Sequence, residues 1–144
     1  MDLDGNKETV RRAYEEAWNR KNVDALDELL PEDYDMHRGE KTGGRAAIKA
    51  IIAGYHRAFP DLRVTMHEFV AEGDRVCVRL TWQGTHLGEL QTAYGVIPPT
   101  GKAVTWSGNH FFRIENGRLA ESHYGTDALS LYQQVGAVPT PDLS

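Results

Sequence analysis

The chain has 144 residues, is 40% hydrophobic and 26% charged, and carries a formal net charge of −5, which suits a single globular domain over residues 1–144 with room for a real core. Its Lys and Arg residues are scattered, so nucleic-acid binding and a polybasic membrane anchor are both disfavoured, since each needs clustered cations. Cys77 is the only cysteine, which excludes an intramolecular disulfide; in Val76-Cys77-Val78 it reads as a small buried hydrophobe, without the electropositive setting of a catalytic thiol.

Residues 1–6 are polar and acidic, unlike a signal peptide, and no apolar run approaches the ~20 residues of a membrane span. A cytoplasmic protein is the expectation. Val10, Ala13, Tyr14, Ala17 and Trp18 recur at helical spacing, with Asn6 as a candidate N-cap. A shorter helix follows on Val23, Leu26, Leu29 and Leu30, closed by Pro31. Residues 34–44 read as a loop or short extended segment. A longer helix from about Arg45 to Phe59 carries the stripe Ile48, Ile51, Ile52, Tyr55 and Phe59, and Pro60-Asp61 stops it.

From Leu62 onward strands dominate. Leu62 to Ala71 precedes the turn Glu72-Gly73-Asp74. In Arg75 to Thr85, Val76, Val78, Leu80 and Trp82 alternate with Arg75, Cys77, Arg79 and Thr81. Gly95 to Gly101 is a proline-bearing loop. Ala103 to Ile114 puts Val104, Trp106, Gly108, His110, Phe112 and Ile114 on one face. Asn116-Gly117 signals a two-residue hairpin turn, and Leu119 to Thr126 returns antiparallel. Asp127 then caps a helix carrying Ala128, Leu129, Leu131, Tyr132 and Val135, stopped by Gly136. The tail from Ala137 to Ser144 is expected to fray. Helices followed by an antiparallel meander give an α+β fold.

Several segments line up with a known family. Tyr14 to Asn19, Ala58 to Leu62, Val70 to Val76, Gly84-Thr85-His86, Ile97-Pro98-Pro99-Thr100-Gly101, Phe112-Arg113-Ile114 with Asn116-Gly117-Arg118, and Asp127 to Gly136 resemble the SnoaL-like polyketide cyclases, in order and over nearly the whole chain. The resemblance implies the cone of nuclear transport factor two and ketosteroid isomerase: a curved antiparallel sheet wrapped around N-terminal helices and enclosing a pocket. It implies intramolecular aldol ring closure on a polyketide ester, without metal or cofactor, and pairing of two copies through the outer sheet face, where Cys77, Arg79 and Thr81 would meet the partner. In one place the chain departs from the family. Where the family's last strand reads Glu-His-Trp-Asp or Glu-Glu-Trp-Asp, with an Asp that resembles the acid/base, this chain reads Glu121-Ser122-His123-Tyr124.

The candidate catalytic groups are His110, His123, Tyr124, Asp127 and His37. An unperturbed imidazole, with a pKa of ~6.5, can give or take a proton near neutrality. His110 fits both a pocket and a core. Pairing outward from the two-residue turn sets His110 opposite His123, where two imidazoles would depress each other's pKa. Tyr124, with an unperturbed pKa of ~10, is a poor base but can donate to an oxyanion. Asp127 is either a helix cap or a group that orients His123 or acts as the base. His37 matches a pocket-mouth histidine of the family and also reads as a loop residue. His86 reads as a turn residue, His56 and His67 as surface residues. No metal-ligand spacing is present, so no metal site is expected.

Tyr14, Trp18, Tyr55, Phe59, Trp82 and Trp106 are candidate pocket walls for a small, hydrophobic, aromatic ligand. Three functions fit: a cofactor-free cyclase or isomerase working through an enolate; an epoxide hydrolase or lyase, for which Arg79 lies on the wrong strand face; and a non-enzymatic ligand-binding protein.

Overall fold

The computed structural model describes residues 2–139 and 141–143, with the backbone alone at residue 41. The first helix, α1 (Leu3–Ala13), starts earlier than Asn6, because the Asp2 carboxylate accepts the Gly5 N–H at 2.8 Å and so fixes the N-terminus. It continues through a π-helical segment, Tyr14–Asn19, which carries buried Tyr14, Ala17 and Trp18. A 3-10 turn, Val23–Ala25, leads into the one-turn α2 (Leu26–Leu29). Residues 34–44 hold more structure than a loop: β1 (Asp35–Arg38) and β2 (Lys41–Gly43) form an antiparallel hairpin. Then follow α3 (Arg45–Ala58), β3 (Arg63–Glu72) and β4 (Arg75–Thr85). The proline-bearing stretch contributes a strand, β6 (Gly95–Ile97), which pairs with β5 (Leu90–Thr92). The long β7 (Ala103–Glu115), β8 (Arg118–Thr126) and α4 (Ala128–Gln134) complete the chain. Of the tail, residues 140 and 144 lie outside the described residues, and the others carry no helix or strand.

The main sheet runs β2-β1-β8-β7-β4-β3, and all its pairs are antiparallel except β1 with β8. It curves over α1 and α3, as in the expected cone. Alternation decides the faces: Val76, Val78, Leu80 and Trp82 on β4, and Val104, Trp106, His110, Phe112 and Ile114 on β7, are all buried against the helices. Helix α4 is held to β7 by the Gln134 side chain, which donates to Thr105 O at 2.7 Å and accepts from Thr105 N at 3.0 Å.

The β7–β8 hairpin has the expected turn. Asn116 and Gly117 both sit at positive φ, 54° and 73°, and Glu115 faces Arg118. One step on, the register slips: Ile114 faces Leu119 but Arg113 faces Glu121, leaving Ala120 as an extra residue in β8. Such a bulge moves every later side chain to the other sheet face. The expected His110–His123 pairing is therefore corrected: His110 faces Tyr124, and His123 faces Phe111 on the outside. Cys77 also differs from expectation, lying half-buried on the outer face opposite Phe111.

Candidate functional site

Sheet and helices enclose a chamber of about 60 Å³. Tyr14, Trp18, Tyr55, Trp82 and Trp106 stand in its wall, with His110 and Tyr124. Trp82 and Trp106 stack 6.1 Å apart at an interplanar angle of 4°, and Trp18 meets Trp82 edge-on at 5.8 Å. Phe59 lies behind this wall. It is fully buried, 5.2 Å from the Trp106 ring, and supports the chamber without lining it. Gly108 leaves space beneath Trp82; a Cβ there would come within 2.9 Å of the indole and of Gly125 O.

His110 is 4% exposed and both of its ring nitrogens are engaged. Nδ1 hydrogen-bonds the buried Tyr14 hydroxyl, and Nε2 lies 3.1 Å from Thr126 Oγ1. Burial, with Arg38 nearby adding to it, pushes the imidazole pKa down to about 3. The ring is neutral near pH 7 and offers no free lone pair. The Tyr124 ring lies beside it, 4.4 Å between centroids.

A second polar group comes from Tyr34, in the segment where sequence reasoning singled out only His37. The Tyr34 hydroxyl hydrogen-bonds both Ser122 Oγ and the Tyr124 hydroxyl, the latter at 2.6 Å. Burial raises the pKa of Tyr14, Tyr34, Tyr55 and Tyr124, so all four phenols stay protonated. The β1–β8 pairing, Met36 opposite Ser122, sets this cluster. Its only trace in the sequence is the alternation of Tyr34, Met36 and Arg38.

Among the described residues no Asp or Glu lines the chamber, and Arg38 is the one charged residue in its wall. Trp82 adds a buried indole N–H with no hydrogen-bond partner among the described residues. Beyond Arg38, Ile51 and Tyr55, which belong to both walls, lies a vestibule of about 460 Å³.

The remaining candidates sit elsewhere. Asp127 caps α4, its carboxylate accepting the Ser130 N–H at 3.0 Å. His37 and His123 stack outside the sheet, 4.5 Å apart at 5°. His37 Nε2 is 2.9 Å from Asp35, and His123 Nε2 is 3.8 Å from Glu121. His37, Glu121 and His123 each offer a ligand atom within 4.8 Å of the others, so this trio could hold a divalent cation such as Zn²⁺. Arg75 and Arg113, 3.4 and 3.7 Å from the Glu121 carboxylate, compete for it. Sequence spacing shows no such group, because the parallel pairing of β1 with β8 creates it. His86 is fully buried, its Nδ1 bonded to Thr100. His56 is half-buried and donates to Ala17 O, while His67 is exposed. Among the described residues no helix is long and apolar enough to cross a membrane.

The family model for SnoaL-like polyketide cyclases matches residues 8–135. No curated protein matches the chain. Among solved structures, AclR of Streptomyces galilaeus, provisionally assigned as a hydroxylase, is 25% identical, with a TM-score of 0.86 over 98% of this chain and 87% of its own. A protein of Jannaschia sp. CCS1, provisionally assigned as a SnoaL-like polyketide cyclase, is 26% identical, with a TM-score of 0.83 over 95% of each chain. IdmH of Streptomyces antibioticus, provisionally assigned as a polyketide cyclase, is 26% identical, with a TM-score of 0.77 over 91% of this chain and 98% of its own.

Proposed function

This chain belongs to the SnoaL-like polyketide cyclase family, and we propose that it closes a ring in a hydrophobic, polyketide-like carbonyl compound by an intramolecular aldol reaction. One observation carries the reading: an aromatic chamber whose wall holds protonated phenols and, among the described residues, an unpartnered indole N–H, beside Arg38, His110 and Thr126. Donors of this kind stabilise an oxyanion, and buried donors need acceptors.

The phenols supply the acid. Tyr124, buttressed by Tyr34, donates its proton to the oxygen of the attacked carbonyl, which becomes the hydroxyl of the aldol. The stacked tryptophans fold the substrate so that its enolate carbon meets the second carbonyl. A proton between two carbonyls is far more acidic than an ordinary C–H and leaves to a base from solvent, hydroxide or a buffer anion, because the wall holds no carboxylate among the described residues. The new carbon–carbon bond forms as the carbonyl π bond breaks, and the proton taken up by the solvent base returns to Tyr124. His110 fits a relay between Tyr14 and Thr126 better than a base, because it is neutral and bonded on both sides.

The chamber alone is small for such a ligand; substrate pockets usually span ~300–1,000 Å³. Displacing Arg38 and Tyr55 would join it to the vestibule. The absence of a carboxylate from the wall also favours a second reading, a protein that binds the ligand without turnover. Pairing of two copies through the outer face is part of the proposal; Val70 and Phe111 are 62% and 52% exposed there.

Product formation from an aromatic polyketide β-keto ester, followed by chromatography for wild type and Tyr124→Phe, tests the reading. Ring closure that slows in the variant supports it. Tight binding with no ring closure in wild type leaves the binding protein. Absence of binding sinks both.

A further inference from the structure

The vestibule differs in charge from the rest of this acidic chain. Arg38 and Arg57 stand in its wall with Tyr55 and Tyr132, and no Asp or Glu does. Neither guanidinium forms an ion pair among the described residues, nor do those of Arg63 and Arg118, whereas Arg11, Arg12, Arg20, Arg45, Arg75, Arg79 and Arg113 all do; of the four, Arg38 and Arg57 share one cavity wall. Glu89, next in sequence to the wall residue Leu90, is exposed and pairs with neither. Arg38 is placed at the neck, in the walls of both cavities, as is Tyr55.

From this geometry we infer that the vestibule binds an anionic head, a carboxylate, on Arg38 and Arg57, while the ligand's aromatic body enters the chamber. The inference rests on the chamber taking a hydrophobic ligand and adds a charge to it: a carboxylate at a position other than the carbonyl groups that react. A guanidinium presents paired N–H donors that match a carboxylate, and such charge-assisted bonds are about twice as strong as neutral ones. An ester offers no charge to either arginine. The selectivity is geometric as well. Arg38 separates the two spaces, so an acid group on the rim of a flat ring system reaches it while the rings lie against Tyr55 and Trp106, themselves stacked at 5.9 Å.

The test uses the full chain and two matched probes, 2-naphthoate and methyl 2-naphthoate, titrated by calorimetry at low and high salt. The acid is expected to bind about tenfold or more tighter than the ester, with an affinity that falls as salt rises. Arg57→Gln should weaken the acid and leave the ester within about twofold, and Arg38→Gln should weaken the acid by a larger factor than the ester. Because Arg57 is exposed on α3, its variant folds even if that of Arg38 does not. An ester that binds as tightly as the acid overturns the inference while leaving the chamber's hydrophobic role intact. Failure of both probes to bind overturns the inference together with the reading beneath it.

Discussion

Tyr34 and Tyr124 hold their hydroxyls 2.6 Å apart inside the cone, although one immediately precedes β1 and the other lies in β8, at the far end of the chain. The parallel pairing of these two strands makes the contact possible. On the resemblance read from the sequence, Tyr124 would stand where the family carries its acid/base carboxylate, and its neighbour is another phenol. Protonated hydroxyls thus replace a charge at the centre of the site.

Removing either hydroxyl should cost stability and couple to the other. Tyr34→Phe and Tyr124→Phe are each expected to destabilise by about 1 kcal/mol, with a coupling of about 0.5–1.5 kcal/mol in the double variant, measured by urea unfolding. On the proposed reaction, Tyr124→Phe should lower turnover by about 10²-fold with little change in ligand affinity. Unchanged turnover would remove Tyr124 from the acid role.

His110 makes stability depend on pH. Its folded pKa, about 3, lies below the ordinary 6.5. The unfolded chain therefore binds this proton first, so its contribution is complete above the unfolded value and is lost as pH falls toward the folded one. Between about pH 7 and pH 5 the loss should be about 2 kcal/mol, and His110→Gln should flatten that slope. An imidazole that titrates near neutrality by NMR would contradict the neutral relay.

His123 should be dispensable to the chamber. Its side chain is 52% exposed and stacks on His37 outside the sheet. His123→Ala is expected to change stability by no more than about 0.5 kcal/mol and to leave ligand affinity unaltered by calorimetry. A large loss of affinity would mean that β8 pairs with β7 without the bulge at Ala120.

Gly108→Ala should strain the chamber floor, because the added methyl meets Trp82 and Gly125 O at 2.9 Å and a paired strand cannot yield easily. A destabilisation of about 1–3 kcal/mol is expected, together with altered tryptophan fluorescence. Asp127→Ala, by contrast, should cost about 1 kcal/mol through the lost helix cap and leave ligand binding intact.

The sequence by itself determined the local elements and their buried faces. The alternation of Val76, Val78, Leu80 and Trp82, the spacing of Val10, Tyr14, Ala17 and Trp18, and the Asn116-Gly117 turn depend only on neighbours along the chain, where periodicity is visible. The chain of motifs from Tyr14 to Gly136 also carried the family. The tertiary structure alone decided which polar groups meet. One extra residue, Ala120, reversed the parity of β8, turning Tyr124 inward and His123 out. The non-local pairing of β1 with β8 delivered Tyr34 and Arg38 to the site. Register and parallel pairing are set by the packing of whole strands against a shared core, and that information resides in no short window of sequence.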